Sequence, residues 1–336
     1  MSQLNKRKSP QIIAYTLTIS AIVTLVVSVY LRGEVQGSFP AGEAFLLIPV
    51  RTDAAWELLR IDAATKQDAR SEPLPGEPSA VRPTPGGVSV FLGFRDSPTV
   101  SVLNTATMGM EYQWNAHTGA VTEISFSPDG SRLFLLTDTG YLETYEHRRG
   151  EVTLLTASPL GTPHPKGPVF TDSRGTRLYL VDDETVHIRF AGGDQIIDTI
   201  TVPARMWQSS EDRERLWAIH QDGYPMNLST RNQQITHFPE IPVAHIQPAL
   251  FRRDVWFLSS SHDRLINTQG DTISAPRGIA HLVALDRYGM WTTTTDGEVL
   301  ELRGDSLWEA VAVVEAREIG ALVIAHIQQE GTFACF

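Results

Sequence analysis

The side chains able to hold a metal or move protons are spread thinly along this chain. Its ten histidines stand singly, at positions 117, 147, 164, 187, 220, 237, 245, 262, 281 and 326. A neutral imidazole is the commonest side-chain ligand for a transition metal, and two on one face of a helix or strand make a chelate. No such spaced pair occurs here. His117, His164, His245 and His281 share a different property. Each lies in a segment leading into an apolar run, as in Ala244-His245-Ile246 and Ala280-His281-Leu282. If those runs are equivalent strands of a ring, the four imidazoles can gather at one mouth of a central channel and ligate a metal or a haem iron. The competing use of each is a hydrogen bond to neighbouring backbone. The expectation is therefore no metal, no cofactor and no catalytic residue, with these four as the candidates otherwise.

Other chemical patterns read as turns. Ser261-His262-Asp263 has the letters of a hydrolytic triad, but a triad needs three side chains converging from separated positions. Three consecutive residues cannot do this. Asp182-Asp183-Glu184 and Glu211-Asp212 fall at hairpin turns without the spacing of a calcium loop. The chain has no Gly-x-Ser-x-Gly elbow, no Walker-type phosphate loop and no His-Glu-x-x-His. Its one cysteine, Cys335, excludes an intrachain disulfide and a cysteine-based zinc cluster within the chain.

The elements that must position any site are short strands. Residues 124–145 (ISFSPDGSRLFLLTDTGYLETY) hold three strand-like runs and two tight turns. Pro128 pre-sets φ in the first turn and Gly130 accepts a positive φ. Leu133 to Leu136 is an apolar run of buried-strand length, and Tyr141 to Tyr145 alternates apolar and polar. Copies recur, with the run after the first turn beginning near Phe45, Val88, Leu133, Leu178, Leu216, Val255, Met290 and Leu322. The second turn recurs as Asp138-Thr139-Gly140, Asp222-Gly223 and Asp296-Gly297, a strong hairpin signal.

A period of about 35–45 residues points to propeller blades. Too few residues follow the last start to complete a sheet, and the first sheet lacks its front. Closure of a ring by the strand near Ala321 to Ile327 solves both problems and removes exposed sheet edges. The expected fold is all-β: a closed β-propeller of seven four-stranded blades of about 42 residues each, with six or eight as alternatives. Trp217, Trp256 and Trp291 are placed in second strands as filling between blades, while Trp56, Trp114 and Trp308 have no clear place and are open to contributing to an exposed contact surface.

The segment Ser127-Pro128-Asp129-Gly130-Ser131-Arg132-Leu133-Phe134-Leu135 resembles the turn signature of bacterial propellers of the WD40-like, YVTN and TolB-like kinds. The likeness is close in residues 119–155, fair in 165–200 and weak elsewhere. The Trp-Asp and Gly-His pairs of typical WD40 repeats are absent. The resemblance implies an architecture and carries no function.

Ahead of the strands, Gln11 to Tyr30 is 20 residues without a charge. As a helix it is about 30 Å long, the thickness of a bilayer core. Lys6, Arg7 and Lys8 precede it, which predicts a cytoplasmic N-terminus. Bulky Val29-Tyr30-Leu31-Arg32 argues against a signal-peptidase site. The expected organisation is a basic N-terminus (1–10), a transmembrane signal anchor (11–31), a linker (32–42) and a propeller (43–336). It sits in a bacterial inner membrane, with the propeller in the periplasm or another extracytoplasmic space. The net charge is −11, and residues 1–40 contribute +3, leaving −14 on the remainder. An acidic body argues against non-specific nucleic-acid binding. The expected partners are the membrane and other protein subunits.

Two functions fit. One is a non-enzymatic scaffold or accessory subunit of a larger membrane complex. The alternative is a periplasmic propeller enzyme, resembling the lactone hydrolases or the amine-dehydrogenase large subunits, with a site in the channel. Such a site leaves almost no linear motif.

Overall fold

A computed structural model describes residues 44–326, apart from 149, 162–166, 183, 211, 245–247, 252–253, 286–288, 304–306, 315, 317 and 321–322. The expected anchor and linker, Cys335, His164 and His245 lie outside the described residues.

Every sheet is antiparallel, and seven of them follow one another along the chain. Blade 1 is Pro78–Pro83, Ser89–Phe94, Ser97–Asn104 and Met110–Asn115, from inner to outer strand. Blade 2 is Val121–Phe126, Arg132–Thr137, Tyr141–Arg148 and Glu151–Pro159. Blade 3 is Val169–Thr171, Arg177–Val181, Thr185–Phe190 and Ile196–Thr201. Blade 4 is Ala204–Ser209, Arg215–His220, Pro225–Ser229 and Ile235–His237. Blade 5 is Ala249–Phe251, Asp254–Leu258, Arg264–Asn267 and Thr272–Ser274. Blade 6 is Ile279–Leu285, Gly289–Thr294, Glu298–Arg303 and Leu307–Val313.

Blade 7 joins both ends of the ring. Ala44–Arg51, Trp56–Asp62 and Asp68–Arg70 are its second, third and outer strands. Its inner strand comes from the other end of the chain, as Glu318–Ile319 and Val323–His326, both antiparallel to Ala44–Arg51. The break in that inner strand faces Pro49, which has no N–H to give the ladder. Gly320 sits opposite, where an added Cβ would come within 3.0 Å of the Pro49 Cβ. Register moves from Val50↔Ile319 to Leu47↔Val323, so the C-terminal strand carries one extra residue there.

The core explains the apolar runs. Seven clusters of buried side chains fill the seven gaps between blades, including the gaps on either side of blade 7. This fixes a closed ring of seven. Side chains alternate across a strand, so a second strand feeds two gaps. Leu133 and Leu135 enter the gap toward blade 1, and Phe134 and Leu136 the gap toward blade 3. A strand buried on both faces reads as a continuous apolar run. Gly93 allows the closest approach of blades 1 and 2, since a Cβ there would lie 2.8 Å from the Val121 Cβ.

Trp217, Trp256 and Trp291 are buried between blades. Trp56, Trp114 and Trp308 are partly buried. They pack as partly buried members of three of the same clusters, because the outer margins of the gaps need large, half-apolar rings. One carboxylate is drawn fully inside. Glu143, with no exposed surface, accepts from the Thr118 amide (2.6 Å), the Thr118 hydroxyl (2.7 Å) and the Tyr145 hydroxyl (2.5 Å). It ties the blade 1–blade 2 connection to the third strand of blade 2.

Candidate functional site

A cavity of about 1930 Å³ is lined by residues of all seven inner strands and runs on between blades 4 and 5, where Trp217, Gln234, Phe238 and Val255 line it. Much of the wall charge is already paired. Arg95 meets Glu77 at 2.7 Å and Arg82 meets Glu123 at 2.8 Å. Asp212 accepts from the Ser210 hydroxyl at 2.6 Å and from the Glu214 amide at 2.9 Å.

The sequence candidates separate. His281, third residue of the inner strand of blade 6, lines the cavity. Burial pushes its pKa down, so the ring is neutral at neutral pH. His117 is exposed in the connection between blades 1 and 2 and is not among the lining residues. Among the described residues no three His, Cys, Asp or Glu side chains are grouped to hold a metal. Ser261, His262 and Asp263 form the turn between the second and third strands of blade 5. There the Ser261 and Ser259 hydroxyls donate to Asp263, at 2.5 and 3.0 Å, and hold its carboxyl below the usual range. His262 takes a φ of +60° in that turn.

The residues that single-motif reading passed over are two arginines at the end of the channel where the inner strands finish. The turn joining inner to second strand has one form in four blades. An amide donates to the carbonyl three residues back: Gly87 to Thr84 (2.8 Å), Gly130 to Ser127 (3.0 Å), Gly175 to Asp172 (3.0 Å) and Arg213 to Ser210 (2.9 Å). The φ angles are +70°, +70°, +66° and +56° in that order. Glycine adopts this left-handed conformation freely, whereas another L-residue gives up about 1–2 kcal/mol there. Three blades use glycine, and blade 4 uses Arg213. Alignment of the four turns would have shown the exception; a search for catalytic motifs could not.

The Arg213 side chain crosses two neighbouring blades. Its Nη1 donates to the Phe126 carbonyl (3.0 Å) and to the Thr171 hydroxyl, which itself donates to the Phe126 carbonyl (3.1 Å). From the other side, Arg82 Nε donates to the Ile124 carbonyl at 3.0 Å. The two guanidiniums therefore converge on one strand, at carbonyls two residues apart. Burial lowers the Arg213 pKa, the Arg82 charge lowers it further, and Asp129 and Asp172 oppose both. Among the described residues no carboxylate is within ion-pair distance of Arg213. Arg213 thus ties the blade 4 turn to blades 2 and 3, and its charge is not in contact with a carboxylate.

Ring, blade order and channel define the class: a seven-bladed β-propeller with a central cavity of mixed polar and apolar lining. Solved structures share that fold. The chain is 12% identical to the Kuenenia stuttgartiensis hydrazine synthase chain, with a TM-score of 0.59, covering 84% of this chain and 99% of that one. A Bacteroides fragilis protein assigned to the 6-phosphogluconolactonases is 10% identical, with a TM-score of 0.56 over 85% of this chain and 99% of its own. The dihydro-heme d1 dehydrogenase NirN, solved in complex with DHE, is 14% identical, with a TM-score of 0.56 over 79% of this chain and 63% of its own. At these identities the likeness is one of fold. No protein-family model and no curated protein matches the sequence.

Proposed function

We propose that the protein is a membrane-anchored, extracytoplasmic β-propeller that serves as a scaffold or accessory subunit of a larger membrane complex. One observation carries this reading, an apolar corner on the outer edge of blade 3. Phe190, Ile196 and Ile197 are 53%, 44% and 41% exposed within a single hairpin. The register slips between Ile188 and Arg189, leaving Ile197 without a cross-strand partner. This bulge lets Ile196 and Ile197 both face outward. Large apolar side chains gathered on an unpaired sheet edge need cover in a soluble domain. Asp194, 72% exposed at its side chain, and exposed Asp198 flank them. The partner that fits is a protein subunit with an apolar patch rimmed by lysine or arginine. The uncharged stretch at 11–30 supplies the tether.

Mild-detergent pull-down from membranes, with mass spectrometry, tests this. A stoichiometric partner is expected with the native chain and lost with Ile196→Asp plus Ile197→Asp, while Arg205→Ser on exposed blade 4 surface retains it. Recovery of the native chain alone overturns the reading. Protease protection in spheroplasts tests the topology, and a cytoplasmic propeller overturns it.

A channel enzyme is the second reading, favoured by His281, a neutral imidazole in the cavity wall. The structural neighbours named as a synthase, a dehydrogenase and a lactonase lend it support.

A further inference from the structure

We propose that the channel lip formed by Arg82 and Arg213 binds the oxyanion group, phosphate or carboxylate, of a small molecule. The proposal holds whichever subunit covers blade 3. It begins with placement. Arg213 occupies the one turn position that blades 1, 2 and 3 give to Gly87, Gly130 and Gly175, with the same hydrogen bond and the same sign of φ. The turn gains nothing from an arginine there. Backbone strain of this kind persists where a side chain is needed at that spot.

What stands there is a guanidinium facing that of Arg82, whose own charge is met by Glu123 at 2.8 Å. Arg82 and Arg213 lean on the Ile124 and Phe126 carbonyls from opposite sides. Carbonyls two residues apart on one strand edge are about 6.6 Å apart. An oxyanion accepting charge-assisted bonds of about 2.8 Å from both sides fits between groups so spaced. The donors it would use are unengaged. Among the described residues, Arg213 Nε and Nη2 and Arg82 Nη1 have no hydrogen-bond partner, while Nη1 of Arg213 and Nε and Nη2 of Arg82 fix the two planes. Both residues line the cavity, beside Ser125, Ser209 and Ser210. Glu123 is held by Arg82, Asp129 by the Ser127 and Ser131 hydroxyls, and Asp172 by the Thr176 hydroxyl and the Thr176 and Arg177 amides; Asp129 and Asp172 attract Arg213 without touching it.

A structural role is the rival account, with Arg213 as a staple across blades 2, 3 and 4. Calorimetry and thermal unfolding of the full chain in detergent separate the two. The probes are inorganic phosphate and citrate, against sodium chloride at matched ionic strength. Saturable binding and a raised midpoint are expected with phosphate or citrate and not with chloride. The stronger of the two identifies phosphate or carboxylate as the group read. Arg213→Gly restores the residue of the other three turns, so it folds, and it weakens binding at least tenfold. Arg213→Lys keeps part of the affinity. Equal responses to all three salts overturn the proposal, and so does unchanged affinity in Arg213→Gly.

Discussion

Glu143 offers the sharpest test of how the ring is held. Its carboxylate receives three hydrogen bonds and meets no cation among its recorded partners, in a place with no exposed surface. Glu143→Ala strips the acceptor from the Thr118 amide, the Thr118 hydroxyl and the Tyr145 hydroxyl together. A buried donor without an acceptor costs about 1–3 kcal/mol. The Thr118 hydroxyl has a second neighbour in the Thr137 hydroxyl at 3.0 Å, which limits its loss. The expected cost is about 3–5 kcal/mol, a large share of a native stability of roughly 5–15 kcal/mol. Glu143→Gln keeps one oxygen for Thr118 and turns an amide toward Tyr145, whose hydroxyl can reverse and accept. That change loses the charge assistance alone, about 1–2 kcal/mol. Urea unfolding followed by tryptophan fluorescence reads both, since the Trp114 ring lies 6.1 Å from the Tyr145 ring. If Ala and Gln cost the same, or Ala costs under about 1 kcal/mol, the reasoning from unsatisfied donors is wrong.

Three further outcomes follow from the packing and charge. Gly93→Ala wedges blades 1 and 2 by about 1–3 kcal/mol, and adding Val121→Ala rescues it only in part because the Val121 Cβ (2.8 Å) and carbonyl (3.0 Å) remain. Lys66, at φ +62°, binds Glu301 at 2.7 Å and lies 4.2 Å over the Trp291 ring, linking blades 7 and 6. Lys66→Ala should cost about 1–2 kcal/mol, and Lys66→Gly about 1 kcal/mol less than Ala by relieving the left-handed backbone, as read by thermal unfolding. The His281 pKa is depressed in the folded state, so the unfolded chain binds the proton first as pH falls below about 6.5. Its contribution is complete above that pH and is lost on acidification, by at most about 1.4 kcal/mol per pH unit, and His281→Gln should flatten the profile just below about pH 6.5.

Strands and turns were legible because their causes are local. Leu133 to Leu136 reads as a strand buried on both faces, and the Pro128-Asp129-Gly130 turn needs nothing from elsewhere in the chain. The second-strand tryptophans were legible for the same reason. Periodicity along the sequence left six, seven or eight blades open. Seven was decided by side chains far apart in sequence meeting in gaps, above all where Phe45 and Leu47 pack with Val90 and Leu92. The three peripheral tryptophans had no clear place in the sequence because exposure at a blade margin depends on the neighbouring blade.

The sequence by itself determined an acidic, all-β repeat whose turns and apolar runs make propeller blades, because each strand and hairpin is specified by residues a few positions apart. Tertiary structure decided the rest. It split the closing strand opposite Pro49, and it placed Arg213 of the blade 4 turn against the strand that Arg82 reaches from blade 1. More than a hundred residues separate those arginines along the chain. Only the turning of blades about a common axis brings their charges to one lip, and no local pattern encodes that distance.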